Sequence, residues 1–159
     1  MIRKKWILLA DGNPAEADQT LQALGASFAP PDVMVARDGA AVCECLARGQ
    51  GPDAHHTHYP ALVLLELNLA GVDSWEVLRW IKDDAQRKAI PVVVFTSSFA
   101  ANDLNRSYQL GANAYVVKPT NQRELTAVLE DIRAFWIAVN EPPLDAAEMA
   151  EAKQLAVAA

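Results

Sequence analysis

The chain has little that would tie it to a disulfide scaffold, a membrane or a nucleic acid. Among its 159 residues are two cysteines, Cys43 and Cys45, two positions apart in a helically patterned segment and so on different faces. Such a pair builds neither a disulfide framework nor a zinc site. Long apolar runs are also missing. The basic lead of "MIRKKWILLADGNP" opens an apolar run that stops at Asp11, too soon for the core of a signal peptide or a membrane span, and no small-residue cleavage site follows. A cytoplasmic chain is expected. Basic residues are in deficit, 14 Lys and Arg against 20 Asp and Glu, and no stripe concentrates them, so no nucleic-acid partner is expected. The segment "ADGNPAEA" after the first apolar run has one glycine and no hydroxyl. That argues against an enzyme or cofactor carrier built round a phosphate-cradling loop and leaves it a remote alternative.

What remains is enough for one domain with a real core, at 52% hydrophobic residues. "KWILLA" is a short strand, and "NPAEADQTLQAL" starts a helix with Pro14 in its first turn and leucines at helical spacing. "DVMVARD" and "GAAVCECLARG" repeat the pair, the helix ending at Gly49. After the polar loop "QGPDAHHTHYP" come "ALVLLEL" as a third strand and "DSWEVLRWIKDD" as a third helix, with Trp75, Val77, Leu78, Trp80 and Ile81 mostly on one side. "IPVVVF", "ANDLNRSYQLG" and "AYVVK" add a strand, a helix and a strand, and a long helix begins near Asn121. Strands alternating with helices across short turns describe an α/β fold, a parallel sheet with helices on both faces.

In such sheets ligand chemistry collects at the carboxyl ends of the strands. That rule selects Asp11, Glu66, Thr96 and Lys118. Glu66 is the conspicuous one, a carboxylate closing five apolar residues in a strand covered on both sides.

An acid, an acid, a hydroxyl and a Lys-Pro in this order resemble the receiver domain of bacterial two-component response regulators, over about residues 4–138. "ILLADGNPAEA" is similar to that family's "ILLVEDNPxxA", "LVLLELNLAGVDSWEVLRWIK" to its "LILLDLNLPxxDGxEVLxxIK", and "GANAYVVKP" to its "GAxxYxxKP". The resemblance implies a flavodoxin-like receiver fold of strand order 2-1-3-4-5. It also implies a signalling module rather than an enzyme. In the family an aspartate accepts a phosphoryl group from a sensor histidine kinase, with Mg²⁺ held by acids and by a backbone carbonyl. Carried over, Thr96 is the hydroxyl and Lys118 the ammonium that bind the phosphoryl group, and Tyr115 is the switch aromatic. Asp11, Glu66 and the Asn68 carbonyl are the metal ligands.

Two positions depart from the family. Glu66 stands where the phosphoacceptor aspartate should be, and Gly12 replaces the second acid. Glutamate places its carboxylate roughly 1.5 Å further out, and misplacements of that size can cost a reaction about a hundredfold. Gly12 removes one carboxylate from the Mg²⁺ site, which makes the metal doubtful. The longer carboxylate can instead imitate a phosphorylated aspartate, with Lys118 and Thr96 meeting it directly. One alternative is an active phosphoacceptor using Glu66 and Mg²⁺; another is a structural ion pair. For Asp11 the alternative is a cap for the first helix.

Three histidines, His55, His56 and His58, share the polar loop; without a fourth ligand they read as solvated residues rather than as a zinc or nickel site. Trp75, Trp80 and Trp136 read as core or interface residues. Residues 1–140 form the receiver and 141–159 a C-terminal arm, broken at Pro142 and Pro143 and restarting with Asp145 and Glu148 at capping-box spacing. With no room in those residues for a DNA-binding output domain, the reading is a stand-alone receiver. The "FW" before the Pro break resembles the response regulators of phytochrome-type kinases, several of which dimerise through the last helix and arm. The implied partners are a sensor histidine kinase and a second copy of the chain.

Overall fold

The computed structural model describes residues 4–26, 31–49, 51–53 and 58–159. Five parallel strands, β1 Trp6–Ala10, β2 Asp32–Ala36, β3 Leu62–Leu65, β4 Val92–Thr96 and β5 Ala114–Val117, lie in the order β2-β1-β3-β4-β5. The helices are α1 Pro14–Gly25, α2 Gly39–Arg48, α3 Ser74–Lys82, α4 Ala101–Gln109, α5 Gln122–Arg133 and α6 Ala146–Ala158. The expected order and architecture are those observed.

The apolar runs are continuous because the sheet is covered twice. Trp6, Leu8 and Ala10 of β1 pack into one cluster with Val42, Leu46, Val77, Leu78 and Ile81 of α2 and α3. Ile7 and Leu9 point the other way, to Ala17 and Leu24 of α1 and Leu125, Leu129 and Ile132 of α5. The period of two along each strand thus feeds two cores. Local signals start and stop the helices as their chemistry requires. Asn13 caps α1 through the amides of Ala15 and Glu16, Asn121 caps α5, and Gly49 ends α2 at φ +60°. Of the α3 apolar set, Val77, Leu78 and Ile81 are buried, whereas Trp75 and Trp80 are half-exposed and each lies under an arginine, Arg106 and Arg87 respectively.

Two segments differ from the sequence reading. His58 is not a solvated loop residue: it is buried, its Nε2 lies 2.8 Å from the Lys4 carbonyl, and its own carbonyl accepts from the Trp6 indole. His55 and His56 lie outside the described residues. The long last helix changes pitch after Arg133, and Ala134–Val139 forms a π turn. Its end is held by Lys5, whose ammonium donates to the carbonyls of Ile137 and Asn140 and to the Glu141 carboxylate. The chain then runs through buried Pro142, and α6 begins at a reciprocal capping box between Asp145 and Glu148. No residue of α6 is buried.

Candidate functional site

Sheet register builds the site. Ala10 pairs with Leu65, so the residues that follow them, Asp11 and Glu66, emerge side by side at the carboxyl edge. The Glu66 amide bonds the Ala10 carbonyl, and on the far side the Lys118 amide bonds the Thr96 carbonyl at 2.7 Å. Four residues spread over more than a hundred positions of sequence are thereby brought to one point. Asp11, Glu66 and Thr96 are 1%, 5% and 2% exposed. Charges so deeply withdrawn from water need partners.

Glu66 has them on both oxygens. Its Oε1 accepts from the Thr96 hydroxyl at 2.6 Å and from the Asn68 amide at 3.2 Å, and its Oε2 lies 2.7 Å from Lys118 Nζ. Its backbone carbonyl accepts from Ser74 at the start of α3. Charge-assisted bonds of this length are the strong kind. Lys118 Nζ also contacts Asp11 Oδ2 at 2.9 Å and Glu16 Oε2 at 2.8 Å, so one ammonium serves three carboxylates. Burial by itself lowers the Lys118 pKa, but hydrogen bonds to Glu16, Glu66 and Asp11 outweigh it and hold the ammonium above the ordinary lysine value.

Asp11 is not the cap of α1; that role falls to Asn13, whose own amide donates to Asp11 Oδ1 at 2.9 Å. Asn68 meets Glu66 through its N–H. Tyr115 sits next in β5, its hydroxyl donating to the Ser98 carbonyl at 2.9 Å, and burial pushes its pKa up. The Ser98 hydroxyl is in turn bonded to Asp103 at 2.6 Å. The loop after β4 is therefore tied to Glu66 through Thr96 and to β5 through Tyr115.

Glu16 is the residue that sequence reasoning missed. The signal was present: Asn13 as the cap puts Glu16 at the third helical position, in the first turn of α1 directly after the strand that carries Asp11. With Asp11 and Glu66 it forms a set of carboxylate oxygens all within 4.8 Å of one another. Glu16 thus brings a third acid to Asp11 and Glu66, although position 12 carries none. Three carboxylates suit a hard divalent ion by chemistry, but Lys118 already stands between them. As arranged, the residues fit an ammonium and not a metal. An open cleft of about 370 Å³, lined by Glu66, Asn68, Trp75, Thr96 and Asp103 among others, leads to the site from outside.

Comparison with known proteins identifies the family. Residues 7–130 match the model of the response regulator receiver domain. The chain belongs to that family. This receiver is similar to the response regulator Rcp1 of Synechocystis, 35% identical over 84% of this chain and 89% of Rcp1. It is equally similar to the probable methanogenesis regulatory protein FilR2 of Methanothrix harundinacea, 35% identical over 86% of each chain. Among solved structures, the phosphorylated cyanobacterial phytochrome response regulator RcpA superposes with a TM-score of 0.78 at 34% identity, over 89% of this receiver and 99% of RcpA. The Mn²⁺-bound form of Rcp1 gives 0.76 at 33%, over 87% and 99%. The bacteriophytochrome response regulator AtBRR gives 0.67 at 39%, over 88% and 100%. Receivers are signalling modules, and among the described residues of this one no helix is long and apolar enough to cross a membrane.

Proposed function

We propose that this receiver signals through protein contacts with a sensor histidine kinase of phytochrome type, and that Glu66 holds its switch without phosphate. The observation that carries the reading is that Thr96 and Lys118, the groups at the family's phosphoryl-binding positions, both close on the Glu66 carboxylate. Glutamate thus fills part of the space a phosphoryl group would take. The imitation is partial, one negative charge in place of nearly two, so the active arrangement is biased rather than locked. Similarity to regulators named for phytochromes supports the choice of kinase.

The rival is phosphoryl acceptance by Glu66, which the open cleft would permit sterically. One experiment separates them. After incubation with acetyl phosphate and Mg²⁺, the intact mass is expected to stay unchanged. A phosphoryl adduct on most molecules, lost in Glu66→Gln, would establish the rival instead.

The same reading includes a homodimer formed through the α4/α5 face and the arm. Its support is exposed apolar surface: Phe99, Tyr108 and Val117 at α4 and β5, Phe135 and Val139 in the π turn that follows α5, and Leu144, Leu155 and Val157 in the arm. Isolated exposed apolar residues are ordinary, but series of them along one region mark contact sites. Light scattering is expected to give twice the 17.3 kDa chain mass, and Phe135→Asp with Val139→Asp to halve it. A monomeric wild-type chain at tens of micromolar would remove the dimer from the reading.

A further inference from the structure

The carboxylate site holds a cation of its own. We propose that the Lys118 ammonium is the resident cation of Asp11, Glu16 and Glu66, that Glu16 replaces the family's second acid from the helix instead of the loop, and that a divalent ion enters only by displacing Lys118. The inference rests on the reading of Glu66 as a fixed carboxylate. It concerns metal occupancy, which is measured without phosphate.

An ammonium has three N–H donors. Here it meets three carboxylates, at 2.9, 2.8 and 2.7 Å, with 8% of the lysine side chain exposed. The donors and acceptors match one to one, which is the arrangement of a filled site. Magnesium takes oxygens at about 2.0–2.1 Å in near-octahedral geometry. An ion that close to the same three oxygens would share their centre with Nζ, so the two occupants exclude each other by space and by charge.

Position 12 shows why the third acid comes from the helix. A Cβ at Gly12 would stand 2.9 Å from the Arg37 carbonyl oxygen, so a side chain there requires the backbone to move. Glu16 meets no such obstacle. It lies in the first turn of α1, its carboxylate half-exposed at the mouth and its oxygen on Lys118. With three carboxylates against one ammonium the cluster keeps a formal excess of negative charge. A divalent ion is still attracted, and the result is competition.

Mn²⁺ binding, followed by loss of the free-ion paramagnetic resonance signal, tests this on the full chain. Lys118→Met is expected to bind Mn²⁺ at least about tenfold more tightly than wild type, a difference of about 1.4 kcal/mol. Adding Glu16→Gln to Lys118→Met should reverse most of that gain. Equal affinity of wild type and Lys118→Met, or no binding by Lys118→Met, overturns the exclusion by lysine. Unchanged affinity on adding Glu16→Gln overturns the part given to Glu16. Because Lys118→Met removes a buried cation on which folding draws, a wild-type measurement stands beside it: acylation of Lys118 by an amine-reactive ester, mapped by mass spectrometry. Acylation is expected to be slow and to rise in step with Mn²⁺ occupancy. Mn²⁺ that binds while acylation stays slow overturns the proposal. Phosphoryl labelling of wild type would overturn the function proposed above and leave these metal results to be judged on their own.

Discussion

Lys118→Met lowers the stability of the folded chain by about 3–5 kcal/mol, the range for removing one partner of a buried ion pair. In a chain of this length that corresponds to a fall of about 6–20 °C in the melting temperature. The effect comes mainly from Asp11 and Glu66, whose side chains are 1% and 6% exposed and lose their cation without regaining water. Glu16, at 41% exposure, contributes little. The pH profile separates this from simple loss of packing. Lys118 has a folded-state pKa above its unfolded value, so its contribution is complete below the ordinary lysine value of about 10.4 and is lost only as pH rises through the higher folded one. In Lys118→Met that alkaline loss disappears. Thermal melts of both proteins from acid to alkaline pH give the comparison. A melting temperature within about 2 °C of wild type would mean that the three carboxylates do not depend on Lys118.

Glu66→Asp raises phosphoryl labelling from acetyl phosphate and Mg²⁺ by about a hundredfold in initial rate. Removing one methylene withdraws the carboxylate by roughly 1.5 Å. The 2.6 Å bond to Thr96 and the 2.7 Å contact with Lys118 then open. The space regained is that of the transferring phosphoryl group, with the Thr96 hydroxyl and the Lys118 ammonium free to receive its oxygens. Loosening one of the three anchors of Lys118 also eases entry of the divalent ion the transfer needs. The cleft already leads to this point, so access is not what limits the wild type. Time courses of intact mass for the two proteins measure the ratio. Labelling of Glu66→Asp as slow as that of wild type would place the block elsewhere, with Gly12 the first position to test.

How much of this was legible without coordinates differs from residue to residue. The apolar runs of β1, β3 and β4 are near-continuous because both faces are buried, and that is a local property of composition. The caps at Asp145 and Gly49 are likewise local, a side chain or a left-handed backbone satisfying the next turn, whereas the cap of α1 is Asn13 and not Asp11. Four of the site residues were found because each ends a strand. Glu16 was not found because it does not; it is an ordinary first-turn glutamate until α1 is laid against the sheet. The burial of His58 was hidden for the same reason, since its partner, the Lys4 carbonyl, lies fifty-four positions away. The end of the π turn at Ala134–Val139 is bonded by Lys5, which reaches it from the opposite end of the chain.

From the sequence alone came the family, the order of strands and helices, and the identity of the odd residue at the end of the third strand. These follow from periodicity, turn chemistry and motif order, all of which act over a few residues. Only the tertiary structure decided that one ammonium is shared by Asp11, Glu16 and Glu66, and that Glu16 rather than position 12 completes the set. Coulomb energy and hydrogen-bond geometry depend on distances of about 3 Å, and such distances between residues a hundred positions apart are set by sheet register and helix packing.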